Sequence, residues 1–338
     1  MSRTAGSAVA SPDGLVRIGV SACLLGRQVR HDGGHKRDPF LVETFGRYVE
    51  WVLVCPEVEV GLGIPRPTLR LERHGSEVRL IMPKTGNDHT DVMYAYAARR
   101  VAQLAHDDLS GYILKRDSPS CGMERVKVYG DGQVPSKTGR GLFAEALMRR
   151  YPLMPVEEEG RLNDPQLREN FIERVFAYRR LRSLFARRWT TGLLVAFHTT
   201  HKLQLMAHSP QAYTPLGRLV AGAKRIGRPA LRERYARDFM RALTVPATRR
   251  RHTNVLQHIA GYFKTQLDDA SKRELLARID DYRSGAVPLI VPLTLVRHYV
   301  RRFGITYGLG QTYLDPHPQE LMLRNHVYGG HGPPLDSP

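Results

Sequence analysis

Short apolar runs alternate with helix-patterned stretches over the first 155 residues, and that alternation restricts the fold more than any other feature of the chain. LVRIGV (Leu15–Val20), YVEWVLV (Tyr48–Val54), EVRLIM (Glu77–Met82) and GYILK (Gly111–Lys115) are strands by length and β-branched content. RDPFLVETFGRY, between the first two, carries apolar residues at helical spacing. NDHTDVMYAYAARRVAQLAHDDL reads as a helix capped by Asn87 or Asp88, with Met93, Ala97, Val101 and Leu104 on one face. GRGLFAEALMRRY reads as another. Strands alternating with helices imply an α/β domain with a largely parallel, Rossmann-like sheet covered on both faces. Sites in such sheets form beyond the carboxyl ends of the strands.

The pattern then changes. PVEEEGRLNDP reads as a linker, after which Asn163 or Asp164 caps a helix with Pro165 in its first turn and a stripe of Leu167, Phe171, Val175 and Tyr178. From there to residue 328 the signals are helical, which predicts two domains, 15–160 and an all-α 161–328. A disordered lead-in (1–14) and a disordered tail (329–338) flank them. Charge follows the same division. Residues 1–160 hold 22 basic and 20 acidic side chains, and residues 161–338 hold 29 and 13. A net +16 on the second half, mostly arginine, points to a polyanionic partner, RNA or DNA, through that domain. A merely basic protein from an arginine-rich proteome is the plainer reading. No apolar run reaches the ~20 residues that cross a bilayer, and no secretion signal is evident, so a cytoplasmic, membrane-free setting is expected.

The chain has three cysteines, and each follows a strand: Cys23 in VSACLLG, Cys55 in VCPEVEV and Cys121 in DSPSCG. A parallel sheet would bring all three to one edge. Three single thiols separated by 32 and 66 residues form no Cys-x-x-Cys knuckle. Two metal chemistries stay open: zinc completed by His31, His35 or His89, and a 4Fe–4S cluster with one open iron. Three unrelated core thiols are the plain alternative.

VSACLLGRQVRHDGGHK, VCPEVEVGLGIPRP and LKRDSPSCG resemble the signature segments of the thiouracil desulfidase family. HKLQLMAHSP, NVLQHIAGYFK, VPLTLVRHY and QTYLDPHPQELMLRNHV resemble the helical domain fused behind it, and the combination is similar to the bacterial tRNA 4-thiouridine desulfidases. The resemblance implies that Cys23, Cys55 and Cys121 hold a 4Fe–4S cluster, that Glu57 and Ser118 are catalytic, and that sulfur is removed from a thiolated pyrimidine. The chemistry is coherent. A thiocarbonyl sulfur is soft and suits an open cluster iron acting as Lewis acid, and Glu57 beside a ligand can move protons. No nucleotide-binding loop is present to activate a carbonyl for thiolation, so hydrolytic loss of sulfur is favoured.

Arg30, His31, Asp32 and Lys36 on the HDGGHK loop, and Arg66, are candidates for contacts with base or phosphate, or for solvated positions. His198, His201 and His208 read as core or surface residues, and TRRRH (Thr248–His252) as an RNA contact or a solvated helix start. Two further functions stay open: a desulfidase of free thiolated bases, and a redox-sensing nucleic-acid-binding protein.

Overall fold

A computed structural model describes residues 16–130, 134–186 and 188–327 of the protein. The expected lead-in (1–14) and tail (329–338) lie outside the described residues. The chain divides between Asp164 and Pro165 into two units.

In the first unit, strands β1 (Arg17–Ser21), β2 (Glu50–Val54), β6 (Leu109–Leu114) and β9 (Val156–Glu158) form a parallel sheet in the order β2-β1-β6-β9. Ile18 pairs with Trp51 on one side and Gly111 on the other. β6 is buried along its whole length, as a central parallel strand covered on both faces must be. Helix α2 (Thr90–Gln103) packs Met93, Ala97 and Val101 into the core, continued by Leu104, as the spacing predicts. Helix α3 (Leu142–Arg150) buries Leu142, Phe143 and Leu147.

Four sequence expectations are corrected. Glu77–Met82 is β4, but it lies in a second, five-stranded sheet with β3 (Arg70–His74), β5 (Asn87–Asp88), β7 (Val126–Tyr129) and β8 (Ser136–Gly139), ordered β5-β4-β3-β7-β8. Only Gly75 and Ser76 separate β3 from β4, and a two-residue connection can join only antiparallel strands. The expected linker is part of the fold, since Val156–Glu158 pairs with Tyr112–Leu114 and is buried. The RDPFLVETFGRY helix is one π turn (Phe40–Thr44) and one 3-10 turn (Phe45–Arg47). The segment between Pro39 and Gly46 is too short for a cooperative helix. The cap position of α2 is His89 rather than Asn87 or Asp88, which form β5, and Asp88 Oδ1 still accepts from the Thr90 amide at 2.8 Å.

The second unit is helical: α4 (Pro165–Ala186), α5 (Thr191–His208), α6 (Pro210–Ala221), α7 (Arg228–Leu243), α8 (Arg249–Ala260), α9 (Asp269–Ser284), α10 (Ile290–Arg302) and a short α11 (Thr306–Leu309). Leu203, Val255, Leu256, Ile279, Val296 and Tyr299 form one core among α5, α8, α9 and α10. His198, His201 and His208 are all buried. A polar cluster that the sequence reading missed is also buried. Arg324 Nε donates to Glu169 Oε1 at 3.1 Å, its Nη2 to Glu173, and His208 Nε2 lies 2.7 Å from Glu173 Oε2. Glu169, Glu173 and His317 are close enough together to suggest a cation site, but the Arg324 guanidinium already holds both carboxylates. At the start of α8, Arg251 turns inward, its Nη1 donating to the carbonyls of His208 (2.9 Å) and Pro246 (3.3 Å).

Candidate active site

The three cysteines reach one cavity by three local routes. β1 runs into a 3-10 turn (Ala22–Leu25) that contains Cys23 and closes at Gly26, whose φ of +86° favours glycine. Cys55 stands between β2 and the single-turn helix α1 (Pro56–Glu59), its amide donating to Glu59 Oε1 at 3.0 Å. Beyond β6 the chain makes a tight turn over Ser118–Gly122. There Ser118 Oγ accepts from the amides of Ser120 (3.3 Å) and Cys121 (3.1 Å), and the Gly122 amide returns to the Ser118 carbonyl at 2.8 Å. The start of α3 braces this turn through Phe143 N to Ser120 O (3.1 Å) and Gly141 N to Gly122 O (2.8 Å). A Cβ on Gly141 would sit 2.5 Å from the Ser120 carbonyl carbon, so the approach requires glycine there.

The cavity holds about 350 Å³ and is lined by Cys23, Cys55, Cys121, Glu57, Ser118, Arg66 and a set of basic side chains that includes Arg30, His31, Lys36 and Lys115. Burial pushes the Cys23 thiol up to about 11, assisted by Cys55 and opposed by Lys115 and Arg30. Burial raises Cys55 as well. Cys121 is raised well above the ordinary thiol value by burial and then by Cys55, Glu57 and Cys23, while the Ser21 hydroxyl works against the rise. Each thiol is thus disfavoured as a lone thiolate, and a set of three becomes favourable only around a cation or cationic cluster.

Glu57 is held on both oxygens. Arg66 Nε and Nη2 donate to Oε2 at 3.0 and 2.6 Å, and Ser120 Oγ donates to Oε1 at 3.0 Å. The Arg66 side chain is 3% exposed and spends its remaining reach on the carbonyls of Gly63 and Val29, both at 3.0 Å. It therefore holds Glu57 rather than presenting a free cation to a phosphate. Ser118 accepts two amides and keeps its own hydroxyl hydrogen to donate toward the cavity.

The residues of the HDGGHK loop separate. Arg30, His31 and Lys36 line the cavity, and the Lys36 amide donates to the Cys23 carbonyl at 2.9 Å. Asp32 is not among the lining residues. Its Oδ1 accepts from the Gly34 amide at 3.0 Å, which lowers its carboxyl, and it lies 3.4 Å from Arg30 Nε. Of the three histidines considered for zinc, only His31 lines the cavity; His35 Nδ1 accepts from the Arg37 amide at 3.2 Å.

Sequence reasoning missed Ser21, Ser120 and Lys115. Ser21 Oγ accepts from the Lys115 amide at 3.0 Å and faces Cys121, linking β1 to β6 behind the thiols. Lys115 Nζ pairs with Glu159, just beyond β9. Ser21 and Ser120 each stand within two residues of a cysteine, and that adjacency was the available signal.

Comparisons with known proteins find matches in both units of the chain. The family model for 2-thiouracil desulfurase matches residues 18–159, and the DUF1722 model, described as a protein of unknown function, matches residues 202–318. Protein YbgA of Escherichia coli (strain K12) is 33% identical over 165 residues, 48% of this chain and 98% of that protein. Protein YbbK of Bacillus subtilis (strain 168) is 29% identical over 153 residues, 43% of this chain and 97% of that protein. The solved [4Fe-4S]-dependent thiouracil desulfidase TudS is 33% identical over 44% of this chain and 94% of its own, with a TM-score of 0.36. With a desulfurase match over the domain that holds the three cysteines and a DUF1722 match behind it, the chain belongs to the 2-thiouracil desulfurase family, in a form that carries a C-terminal DUF1722 domain.

Proposed function

We propose that this protein is a 4Fe–4S-dependent desulfidase that converts 4-thiouridine in tRNA to uridine, releasing hydrogen sulfide, in the cytoplasm. The observation that carries the reading is the meeting of Cys23, Cys55 and Cys121 in one cavity with a doubly held Glu57. The donor set fits a cluster better than one ion. A tetrahedral zinc with bonds of about 2.3 Å would draw its sulfurs to about 3.8 Å from one another. Among the described residues, the ligand atoms found within 4.8 Å of one another belong to Glu169, Glu173 and His317, not to the cysteines. Cys23, Cys55 and Cys121 would hold such a cluster, and three ligands would leave one iron open to substrate. When bound, such a cluster supplies a soft Lewis-acidic iron for the thiocarbonyl sulfur.

The remaining roles belong to this chain's own side chains. One water enters and one hydrogen sulfide leaves: the C4–S bond breaks, a C4–O bond forms, and both water protons end on sulfur. Glu57 Oε2 is taken twice by Arg66, so Oε1 is the oxygen that accepts the water proton and passes it on. Ser118 donates its hydroxyl hydrogen to the pyrimidine edge. Lys36, which lines the cavity and enters no ion pair among the described residues, offers a positive charge to a nucleotide there, while Lys115 is paired with Glu159 and Arg30 lies beside Asp32. The net +16 of residues 161–338 supplies the attraction for the tRNA backbone.

The test is anaerobic reconstitution of the full chain followed by nucleoside analysis of thiolated tRNA. The expected result is brown protein, uridine in place of 4-thiouridine, and sulfide. Stoichiometric zinc without iron would overturn the cofactor reading. Turnover of free thiouracil with none on tRNA would replace the substrate by a free base.

A further inference from the structure

Helix α10 has one face in the core, where Leu293, Val296, Tyr299 and Val300 are buried. The opposite face carries Thr294, Arg297, His298, Arg301 and Arg302, at the three- and four-residue steps that keep side chains on one side of a helix. With Gln319 these side chains line a cavity of about 540 Å³ that includes no carboxylate. We propose that this cavity seats the phosphodiester backbone of RNA. The inference rests on the reading of tRNA as substrate, and adds where on the helical unit its phosphates bind.

An arginine-bearing helix face is ordinarily a solvated one, and three observations set this face apart. First, Arg297 is built in. It is buried, Nε donates to the Leu314 carbonyl at 3.0 Å, and Nη2 lies 3.1 Å from Asp315 Oδ1. Asp315 Oδ1 also accepts from Gln319 Nε2 at 2.6 Å, so one carboxylate behind the cavity fixes two of its lining side chains, and Arg297 braces the wall rather than offering a free cation. Second, Arg301 and Arg302 are exposed and enter no ion pair among the described residues. Some other exposed arginines of the unit are paired, as Arg278 is with Asp281 at 2.6 Å and Arg283 with Asp280 at 2.9 Å, while Arg218, Arg241, Arg250 and Arg273 are exposed and unpaired among the described residues; Arg301 and Arg302 differ from these in standing together on one cavity with no lining carboxylate. Arg302 lies 5.5 Å from the centre of the Phe303 ring and Asp268 feels its charge, but neither contact pairs its guanidinium, and the planar forks of both arginines match phosphate oxygens. Third, ligand clefts run from about 300 to 1,000 Å³, so this volume admits a length of backbone rather than a single ion. Gln319 Nε2, with one hydrogen on Asp315, keeps the other as a neutral donor for phosphate or ribose oxygens, while Thr294 spends its hydroxyl hydrogen on the Ile290 carbonyl at 2.8 Å.

The experiment measures binding of bulk tRNA to the full chain between 50 and 300 mM KCl, for wild type, Arg301→Ala, Arg302→Ala and the double variant. A paired-arginine control, Arg278→Ala with Arg283→Ala, is run beside them. With about 0.9 counterions released per phosphate contact, each single substitution weakens binding about fivefold at 0.15 M salt, and the double about thirtyfold. The double variant also makes the logarithmic salt slope shallower by about two. Far-ultraviolet circular dichroism checks folding, and the singles, at exposed positions, stand if the double misfolds. Salt-dependent tRNA binding that is equal in wild type and in all α10 variants would overturn this site and leave the substrate reading intact. An equal loss in the control would reduce the effect to general charge and overturn it as well. A wild type that does not bind tRNA would overturn both.

Discussion

Arg66 offers the sharpest test of the first unit. Replacing it with methionine keeps the length of the side chain and removes the guanidinium. In the folded chain that strips Glu57 Oε2 of two charge-assisted hydrogen bonds and leaves the Val29 and Gly63 carbonyls without their donor. With side-chain exposures of 3% and 16%, the pair is largely removed from water. Breaking one partner of a buried ion pair costs about 3–5 kcal/mol, and the partial opening at Glu57 puts this case near the lower end. A loss of about 3 kcal/mol lowers the melting temperature of a unit this size by roughly 6–12 °C. Turnover should fall by about 10²–10³-fold, because Glu57 loses the contact that selects Oε1 as the proton acceptor. The discriminating assay is a double-mutant cycle with Glu57→Gln at matched iron content. If Arg66 acts through Glu57, adding Arg66→Met to Glu57→Gln lowers turnover little further. Full additivity, or wild-type turnover by Arg66→Met, would refute the argument. Arg66→Lys, a point charge without the fork, should restore stability more than turnover.

Three further outcomes are expected. Cys23→Ser, Cys55→Ser and Cys121→Ser should each abolish the iron-dependent absorbance of anaerobically reconstituted protein, since three thiols meet at one cavity; retention of full iron by any one of them would remove that residue from the ligand set. Gly141→Ala should destabilise the first unit by about 1–3 kcal/mol in urea melts, because its Cβ meets backbone of Ser120 and Cys121 that cannot step aside; unchanged stability would show that the turn relaxes. Burial holds His201 at about 3, so below about pH 6.5 the unfolded chain takes up a proton that the folded chain refuses. Stability is then lost as pH falls from about 6.5 toward 3, by at most about 1.4 kcal/mol per pH unit, and His201→Leu should remove about one proton from that dependence; an identical pH profile in the variant would count against it.

The parallel sheet was legible because β1, β2 and β6 are β-branched runs set between helix-patterned stretches, and a period of two against 3.6 is written in consecutive residues. The same locality placed Met93, Ala97, Val101 and Leu104 inside. It failed at β3, β8 and β9, where RLERH, SKTG and VEE have no local apolar signature and become strands through their partners, and at β7, where the alternation in VKVY spans only four residues. The second sheet was missed for that reason, and VEE passed for a linker because its acidic side chains conceal a strand that the neighbouring β6 stabilises.

The sequence by itself determined where the candidates lie: three thiols at strand ends and a second half with a large excess of arginine, with Glu57 and Ser118 singled out by the family resemblance. Those are properties of residue identity and neighbouring order, which need no fold to read. Only the tertiary structure decided how they are used. It turned Arg66 inward onto Glu57, brought Ser120 to the other carboxylate oxygen, turned Asp32 back onto its own loop, and separated the unpaired arginines of α10 from the paired ones of α9. The physical reason is the same in each case. A hydrogen bond or an ion pair depends on distances of about 3 Å between residues far apart in sequence, and only the folded chain sets those distances.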